Sequence, residues 1–477
     1  MNTVRRIAKN TLVLLVAQIV SMGLGFFYIM YTARYLGAEG FGVLSFALAF
    51  TGIFGLFADL GLSSLTTREI ARDKSLAGKY LGNVAVMKMV LVVITFSLIV
   101  IAINLMGYPE QTIKVVYIVA LAVLFSAFNL LFNSIFQSYE KMEYVSIGKL
   151  LYNMFIFVGV LYAIWHDFNV IGFAVIYLLA SLATLIYSFV AIVGKFHLTK
   201  IKLDWGFWKP TIKEALPFGF SGIFITIYFW VDSIMLSYMI DNEVVGWYNA
   251  SYRLVFILLF IPSIINTAIF PSMSKFYFSS HNSLRLITEK YFKFMLIISI
   301  PIGVGTTLLA EKVILLIFGT AYIQSIIILQ ILIWAMVFTF VYAAFGLLFQ
   351  SINKQIIITK ITGIGMILNV ILNLLLIPLL SHIGASITTA ITEFTILLLV
   401  TIYAYKIGYG IKRTKFLNYV FRPAVASAIM GSFIWRLINM NLIVLLVFSI
   451  LLYFGILFTI KGINREDIEL IKNIRGI

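Results

Sequence analysis

The 477-residue chain contains no cysteine. That excludes disulfides, thiolate metal ligands and cysteine nucleophiles, and it leaves the redox compartment without a marker. Histidine is scarce too, since His166, His197, His281 and His382 are the only four and lie far apart. Charge is the third scarcity. Only 11% of residues are Asp, Glu, Lys or Arg and 62% are hydrophobic, where a soluble domain has about 25% and about 45–50%. With a mean hydropathy of +1.05, this composition excludes an ordinary water-soluble fold and points to a polytopic integral membrane protein.

A crossing helix takes roughly 20 apolar residues. Fourteen stretches meet that need, near 11–33, 41–62, 81–104, 112–136, 147–165, 168–193, 218–238, 248–272, 291–309, 325–350, 356–379, 384–405, 420–437 and 441–460. The first follows Arg5, Arg6 and Lys9, as a signal peptide would, but its apolar run is too long for an h-region and reads as a retained helix. The fold class is therefore all-α, with about 14 transmembrane helices.

Lys and Arg number 35 against 19 Asp and Glu, a net charge of +16. In a soluble protein that excess would suggest nucleic acid. With the N-terminus in the cytoplasm, 29 of the 35 basic residues fall in the N-terminal segment, the loops after even-numbered spans and the tail. Arg34, Lys114, Lys312 and Arg436 fall in outer loops, and Lys88 and Arg253 remain inside spans. Cytoplasmic loops rich in Lys and Arg are the positive-inside pattern. The charge thus reports topology and contact with an anionic inner leaflet, with no call for nucleic acid. The reading places the chain in the cell (inner, cytoplasmic) membrane with both termini cytoplasmic.

No loop is long enough to form a domain. The longest, Gly194 to Pro217, is basic and carries Trp205 and Trp208, which reads as an amphipathic segment on the inner membrane face. The tail from Asn464 to Ile477 has Ile468, Ile471 and Ile474 at helical spacing, a second surface helix. Both read as anchors that set topology, with a regulatory role as the alternative.

An internal repeat organises the spans. Glu39-Gly40-Phe41-Gly42 before span 2 and Glu243-Val244-Val245-Gly246 before span 8 share Glu-x-x-Gly at an offset of 204. Phe136-Gln137-Ser138 to Lys141 after span 4 matches Phe349-Gln350-Ser351 to Lys354 after span 10 at an offset of 213. Ile171-Gly172 and Ile383-Gly384 open spans 6 and 12 at an offset of 212. Six is even, so the halves share one orientation, as in parallel-repeat transporters that rock around a midplane cavity. The expected organisation is an N-terminal six-helix bundle (1–193), a linker (194–217), a C-terminal six-helix bundle (218–406), and two appended helices with a tail (407–477).

These motifs carry a resemblance. Glu39-Gly40-Phe41-Gly42, then Asp59-Leu60-Gly61-Leu62 followed by Arg68-Glu69-Ile70-Ala71-Arg72, resembles the first half of the polysaccharide transporters, oligosaccharide flippases of the MATE-like superfamily. Pro217-Phe218-Gly219, Val231-Asp232-Ser233-Ile234-Met235-Leu236, Gly246-Trp247-Tyr248, Ala250-Ser251-Tyr252-Arg253-Leu254, Ile269-Phe270-Pro271 and Asn373 to Pro378 leading into Gly384-Ala385 resemble the second half. The resemblance covers nearly the whole chain. It implies export of an oligosaccharide on polyprenyl phosphate or pyrophosphate from the inner to the outer leaflet, for cell-surface polysaccharide assembly. It further implies membrane lipids as partners, alongside the glycan polymerase or glycosyltransferases of the pathway. No cofactor is expected, and the coupling ion would be Na+ or H+. Lipid II flippases and cation-coupled multidrug antiporters are relatives. The former carry additional basic residues on helices 1 and 2, and Ser45 to Gly55 here has none.

Charges inside the membrane are costly and suggest function by default. Arg253, about a turn and a half into span 8, is the first choice for a headgroup ligand, because a guanidinium presents a planar fork to phosphate oxygens. Its alternatives are snorkelling or pairing with Asp232. Lys88 in span 3 extends the basic cavity or snorkels, and Arg34 is an outer-side phosphate contact or an interfacial charge. Tyr28 and Tyr252 stand among the aromatics of spans 1, 2, 7 and 8 that could stack on sugars, or face lipid instead. Asp232 in span 7 and Glu393 in span 12, beside Thr388, Thr389 and Thr392, are the candidates for ion coupling, with structural pairing the alternative. Asp59 is a gating or helix-end acid within reach of Arg68 or Lys88.

A polytopic glycosyltransferase or polymerase would need acids arranged for metal or acid–base chemistry, and the acids of these short outer loops do not cluster. The phosphate-binding pattern Gly-x-x-x-x-Gly-Lys-Ser/Thr is absent. The expectation is a transporter, not an enzyme, with a cation-coupled drug antiporter as the competing reading.

Overall fold

The computed structural model describes residues 3–196 and 203–463. Among these residues there are fourteen α-helices and no strand. The first, α1 (Thr3–Gly55), has 53 residues, about 80 Å at 1.5 Å per residue. A hydrocarbon core of about 30 Å cannot hold that length in one pass. The helix turns back at Gly37, whose φ of 68° and ψ of −177° suit a residue without Cβ. Spans 1 and 2 are the two limbs of α1. Likewise α12 (Gln355–Lys406, 52 residues) breaks at Ser381 (φ 51°, ψ −131°) into spans 11 and 12.

After α1 come the short α2 (Leu62–Arg72), then α3 (Ala77–Leu105), α4 (Glu110–Ser138), α5 (Met142–Trp165) and α6 (Val170–Lys195). Span 7 lies in α7 (Trp205–Met239), and span 8 is divided into α8 (Asn242–Ile257) and α9 (Phe260–Ser279). The rest are α10 (His281–Ile317), α11 (Ser325–Ser351), α13 (Arg413–Arg436) and α14 (Leu442–Thr459). Eleven segments are long and apolar enough to cross a membrane, and two of these, Val16–Ala58 and Gln355–Lys406, are the doubled helices. The more polar α13, with 24 residues, supplies the remaining pass. Each of the fourteen apolar stretches in the sequence is helical. Asparagines start two of the helices: Asn169 accepts from the amides of Ile171 and Gly172 at α6, and Asn441 from those of Ile443 and Val444 at α14, satisfying donors that have no partner within the helix.

The chain forms two compact units, Met1–Gly246 and Trp247–Ile477. In the first, Leu62, Leu65, Ile70, Val84, Leu131, Ile135 and Phe136 make a core joining α2, α3 and α4. The Trp205–Pro217 stretch, read from sequence as a separate surface segment, runs directly into span 7 as the first part of α7. It packs on α2 and α3, where Tyr80 and Phe207 meet edge to face at 4.8 Å. In the second unit, Ile297, Leu309, Met430, Ile434, Leu445, Tyr453 and Leu457 bind α10, α13 and α14 together.

The repeat is visible bond for bond at one pair of turns. Lys141 N–H donates to the Phe136 carbonyl and Lys354 N–H to that of Phe349, both at 2.8 Å. Ser138 Oγ donates to Ile135 O and Ser351 Oγ to Leu348 O, again both at 2.8 Å, and Glu140 and Asn353 share a φ of 58°. The expected tail helix, Asn464 to Ile477, lies outside the described residues, as do Lys200 and Lys202 of the linker.

Candidate functional site

The site begins where the two Glu-x-x-Gly motifs meet. A Cβ on Gly42 would lie 1.6 Å from the Asn242 carbonyl oxygen, and one on Gly246 would lie 1.9 Å from the Ala38 carbonyl oxygen. The second limb of α1 and the start of α8 thus cross backbone against backbone, which only glycine permits. Around the crossing, Tyr108 OH donates to Ser237 Oγ at 2.9 Å, and Ser237 Oγ donates to Asn242 Oδ1 at 2.7 Å. Phe46 stacks on Tyr108 at 4.7 Å.

Arg253 lies seven residues beyond Gly246. Two helical turns bring it back to the same face of α8, about 10 Å further along the helix. Its Nε is buried and has no hydrogen-bond partner among the described residues. The neighbouring Tyr252 is stacked between Tyr248 and Phe256, with centroids 5.9 and 6.1 Å away. This stretch of α8 therefore carries a cation with an open donor and an aromatic ladder on adjoining faces.

Lys88 is placed differently. It is 0% exposed, and its Nζ lies 2.5 Å from Asp59 Oδ1 and donates to the Ala127 carbonyl at 2.7 Å. Asp59 also accepts from the hydroxyl and amide of Ser63, at 2.5 and 3.3 Å. Of the two partners weighed for Asp59, Lys88 takes it. Arg68 turns instead to Glu69 at 2.6 Å and Glu214 at 2.5 Å, over the Phe218 ring.

The other candidates are dispersed. Arg34 is exposed, three residues before the break in α1. Tyr28 is half-buried, edge-on to Tyr177 at 6.5 Å. Asp232 is buried in α7 with Ser233 beside it, and Glu393 is buried in the second limb of α12 with Thr388, Thr389 and Thr392. Among the described residues no group of three or more His, Asp or Glu is placed to hold a metal.

Two polar positions escaped the sequence reading. Asn83, fully buried in α3, accepts from the Asp204 amide at 2.8 Å and Trp208 Nε1 at 3.4 Å. An amide inside an apolar run was the available signal. Lys149 counted as a loop charge, yet it stands on α5 and donates to Gln18 of α1. At the N-terminus of α7, a hydrogen bond from Lys79 holds the Asp204 carboxyl below its ordinary range.

Helices of this number, length and order define a multi-pass fold of the MATE-like kind. The structure resembles that of the lipid II flippase MurJ in its inward closed conformation, with a TM-score of 0.76 over 93% of this chain and 98% of that one, at 17% identity. In sequence, residues 7–277 match the family described as polysaccharide biosynthesis protein, and residues 217–375 match MatE. The chain belongs to the polysaccharide biosynthesis protein family. It is 24% identical over 401 residues to a Haloferax volcanii protein named as a probable low-salt glycan biosynthesis flippase, Agl15, covering 81% of each chain. It is 27% identical over 404 residues to the capsular polysaccharide biosynthesis protein CapF of Staphylococcus aureus, covering 82% of this chain and 97% of that one.

Proposed function

We propose that this protein is a flippase for lipid-linked polysaccharide precursors. It carries an oligosaccharide on polyprenyl phosphate or pyrophosphate from the inner to the outer leaflet of the cytoplasmic membrane by alternating access. Family membership and the flippase and capsule names of its relatives support this reading. The distribution of Lys and Arg supports the orientation, with both termini cytoplasmic.

The observation that carries the proposal is Arg253. An unpaired phosphate in hydrocarbon costs tens of kcal/mol by Born solvation, so a flippase must meet that charge with its own. A guanidinium does not deprotonate and offers its donors in a planar fork. At Arg253 the buried Nε–H has no acceptor among the described residues, so it can turn to a headgroup without breaking an internal bond. Tyr252 and Phe256 provide ring faces for the sugars beside it. Arg34 and Tyr28, on the first limb of α1, are further contacts along the route. Lys88 is assigned to Asp59 as a structural pair. The work is transport, and no catalytic residue is proposed.

The test is flipping in proteoliposomes loaded with a polyprenyl-pyrophosphate oligosaccharide, read as glycan reached by an externally added glycosidase. Arg253→Ala is expected to slow the appearance of accessible glycan at least tenfold, and an unchanged rate would overturn the assignment. The second reading, a cation-coupled antiporter, rests on the buried acids Asp232 and Glu393 and on the MatE match over 217–375. It predicts export of cationic amphiphiles that Asp232→Asn or Glu393→Gln abolishes.

A further inference from the structure

The first unit holds a further cation well inside a crossing helix. Lys149 follows the start of α5 at Met142 by about 10 Å along the helix axis, and α5 is long and apolar enough to cross a membrane. The side chain is exposed, but not on the apolar side of its helix. At about 100° per residue, the exposed side chains Ile147, Met154, Phe155 and Val158 all lie within about 60° of the side opposite Lys149. The first limb of α1 repeats the arrangement. Gln18 is half-buried, and the exposed Val16, Val20 and Phe27 lie within about 20° of the side opposite it. The two polar faces meet, because Lys149 Nζ donates to Gln18 Oε1. Each helix thus turns apolar side chains to lipid and a polar face away from it.

A lysine on the lipid side snorkels. On an inner face, an intramembrane charge meets an acid or a water-filled path. No acid meets Lys149 among the described residues. Helices α1, α5 and α6 together contain only Glu39 and Glu143. Glu39 lies beyond the break at Gly37, and Glu143 stands 3.8 Å from Lys141. The mapped partner of Lys149 is a neutral amide, and an ammonium has three N–H donors. Gln18 therefore holds the group in place while leaving it donors and its full charge. Two hydroxyls stand beside this bond, Ser21 one turn after Gln18 and Ser146 one turn before Lys149. Both residues are buried, and neither Oγ has a hydrogen-bond partner among the described residues. One held ammonium, two open hydroxyls and no carboxylate make a donor set for a phosphate.

We propose that Lys149 is a phosphate ligand of the transported lipid, positioned by Gln18 and assisted by the Ser21 and Ser146 hydroxyls. The inference rests on the flippase reading and its orientation, which set the Met142 end of α5 on the loading side. Arg253 belongs to the second unit, and Lys149 gives the first a phosphate ligand of its own.

Lysine acetylation of the wild-type protein in phosphatidylcholine nanodiscs, with and without polyprenyl phosphate, tests this by peptide mass spectrometry. The bare carrier separates the phosphate from the glycan. Polyprenyl phosphate is expected to suppress acetylation of Lys149 and to leave that of the exposed Lys114 unchanged. Polyprenol and phosphatidylglycerol at the same mole fraction should suppress neither. In native mass spectrometry, Lys149→Gln keeps an amide donor for Gln18 but loses the charge, and should weaken polyprenyl phosphate binding about tenfold or more. Lys149→Arg keeps the charge and should stay within about threefold of wild type. Equal losses in the two variants would mark a mere tether between α1 and α5 and overturn the proposal. So would protection of Lys149 by phosphatidylglycerol as strong as that by polyprenyl phosphate. If polyprenyl phosphate binds wild type and Arg253→Ala weakens it while Lys149 stays open to acetylation, this proposal falls and the flippase reading stands. A wild type that binds neither polyprenyl phosphate nor its glycolipid overturns both.

Discussion

Lys88 and Arg253 are the two basic residues that the sequence reading places inside apolar spans, and the structure treats them in opposite ways. Lys88 is fully buried, and both of its mapped bonds, to Asp59 and the Ala127 carbonyl, stay inside the first unit. Arg253 keeps a buried donor with no hydrogen-bond partner among the described residues. A charge whose bonds are already made inside the protein fixes the fold, because releasing it would strand a charge in a dry interior. A charge with an open donor can take a ligand without that penalty. Depth in a span alone does not separate the two roles, whereas the partner does.

The largest effect should come from breaking the closed case. Asp59→Ala leaves Lys88 buried without its carboxylate and is expected to cost about 3–5 kcal/mol of stability, measured by thermal unfolding in detergent. Adding Lys88→Met to that variant should recover most of the loss, since apolar replacement of a buried pair is often close to neutral.

Breaking the open case should leave stability almost untouched and remove function. Arg253→Ala is expected to lose the roughly 1.5–3 kcal/mol of a hydrogen bond to a charged group, which is about 10–100-fold in glycolipid affinity. Its unfolding free energy should stay within about 1 kcal/mol of wild type. Arg253→Lys should restore only part of the binding, because an ammonium lacks the planar fork.

Exposed pairs sharpen the contrast from the other side. Arg68 and Glu214 are 31% and 55% exposed, so Glu214→Gln should cost only about 0.2–1 kcal/mol, seen as faster hydrogen exchange in α2. The smallest effect is that of pH on Asp204. Its carboxyl is held below the ordinary aspartate value by Lys79. The stability it contributes is therefore complete above about pH 3.9 and lost as pH falls through the lower folded value. Hydrogen exchange at Gly206 and Phe207 should be flat from pH 7 to pH 5, after correction for intrinsic rate, and should accelerate only below about pH 4.

Much of this fold was legible because a bilayer leaves few options. Fourteen apolar runs and three motif pairs at nearly constant offset were enough for helix number and repeat. The turns at Phe136 to Lys141 and Phe349 to Lys354 repeat the same bonds. The glycines of the two Glu-x-x-Gly motifs have a reason the sequence alone did not state, since they form one backbone crossing. The course of Trp205–Pro217 was harder to read. Pro210 and Pro217 suggest breaks, yet α7 runs through both. The contacts holding it, Asn83 with Asp204 and Arg68 with Glu214, join residues 121 and 146 positions apart, beyond any local pattern. The same limit applied at the site. Asp59 and Lys88 were candidates for each other, but only packing decided between Lys88 and Arg68.

The most direct test of the account is native mass spectrometry of gently extracted protein for a bound polyprenyl-phosphate glycolipid. It should compare wild type, Arg253→Ala and the paired variant Asp59→Leu/Lys88→Met. The account predicts a glycolipid adduct on wild type and on the paired variant, and its loss from Arg253→Ala. An adduct that persists in Arg253→Ala and disappears from the paired variant would contradict it, placing the headgroup at Lys88.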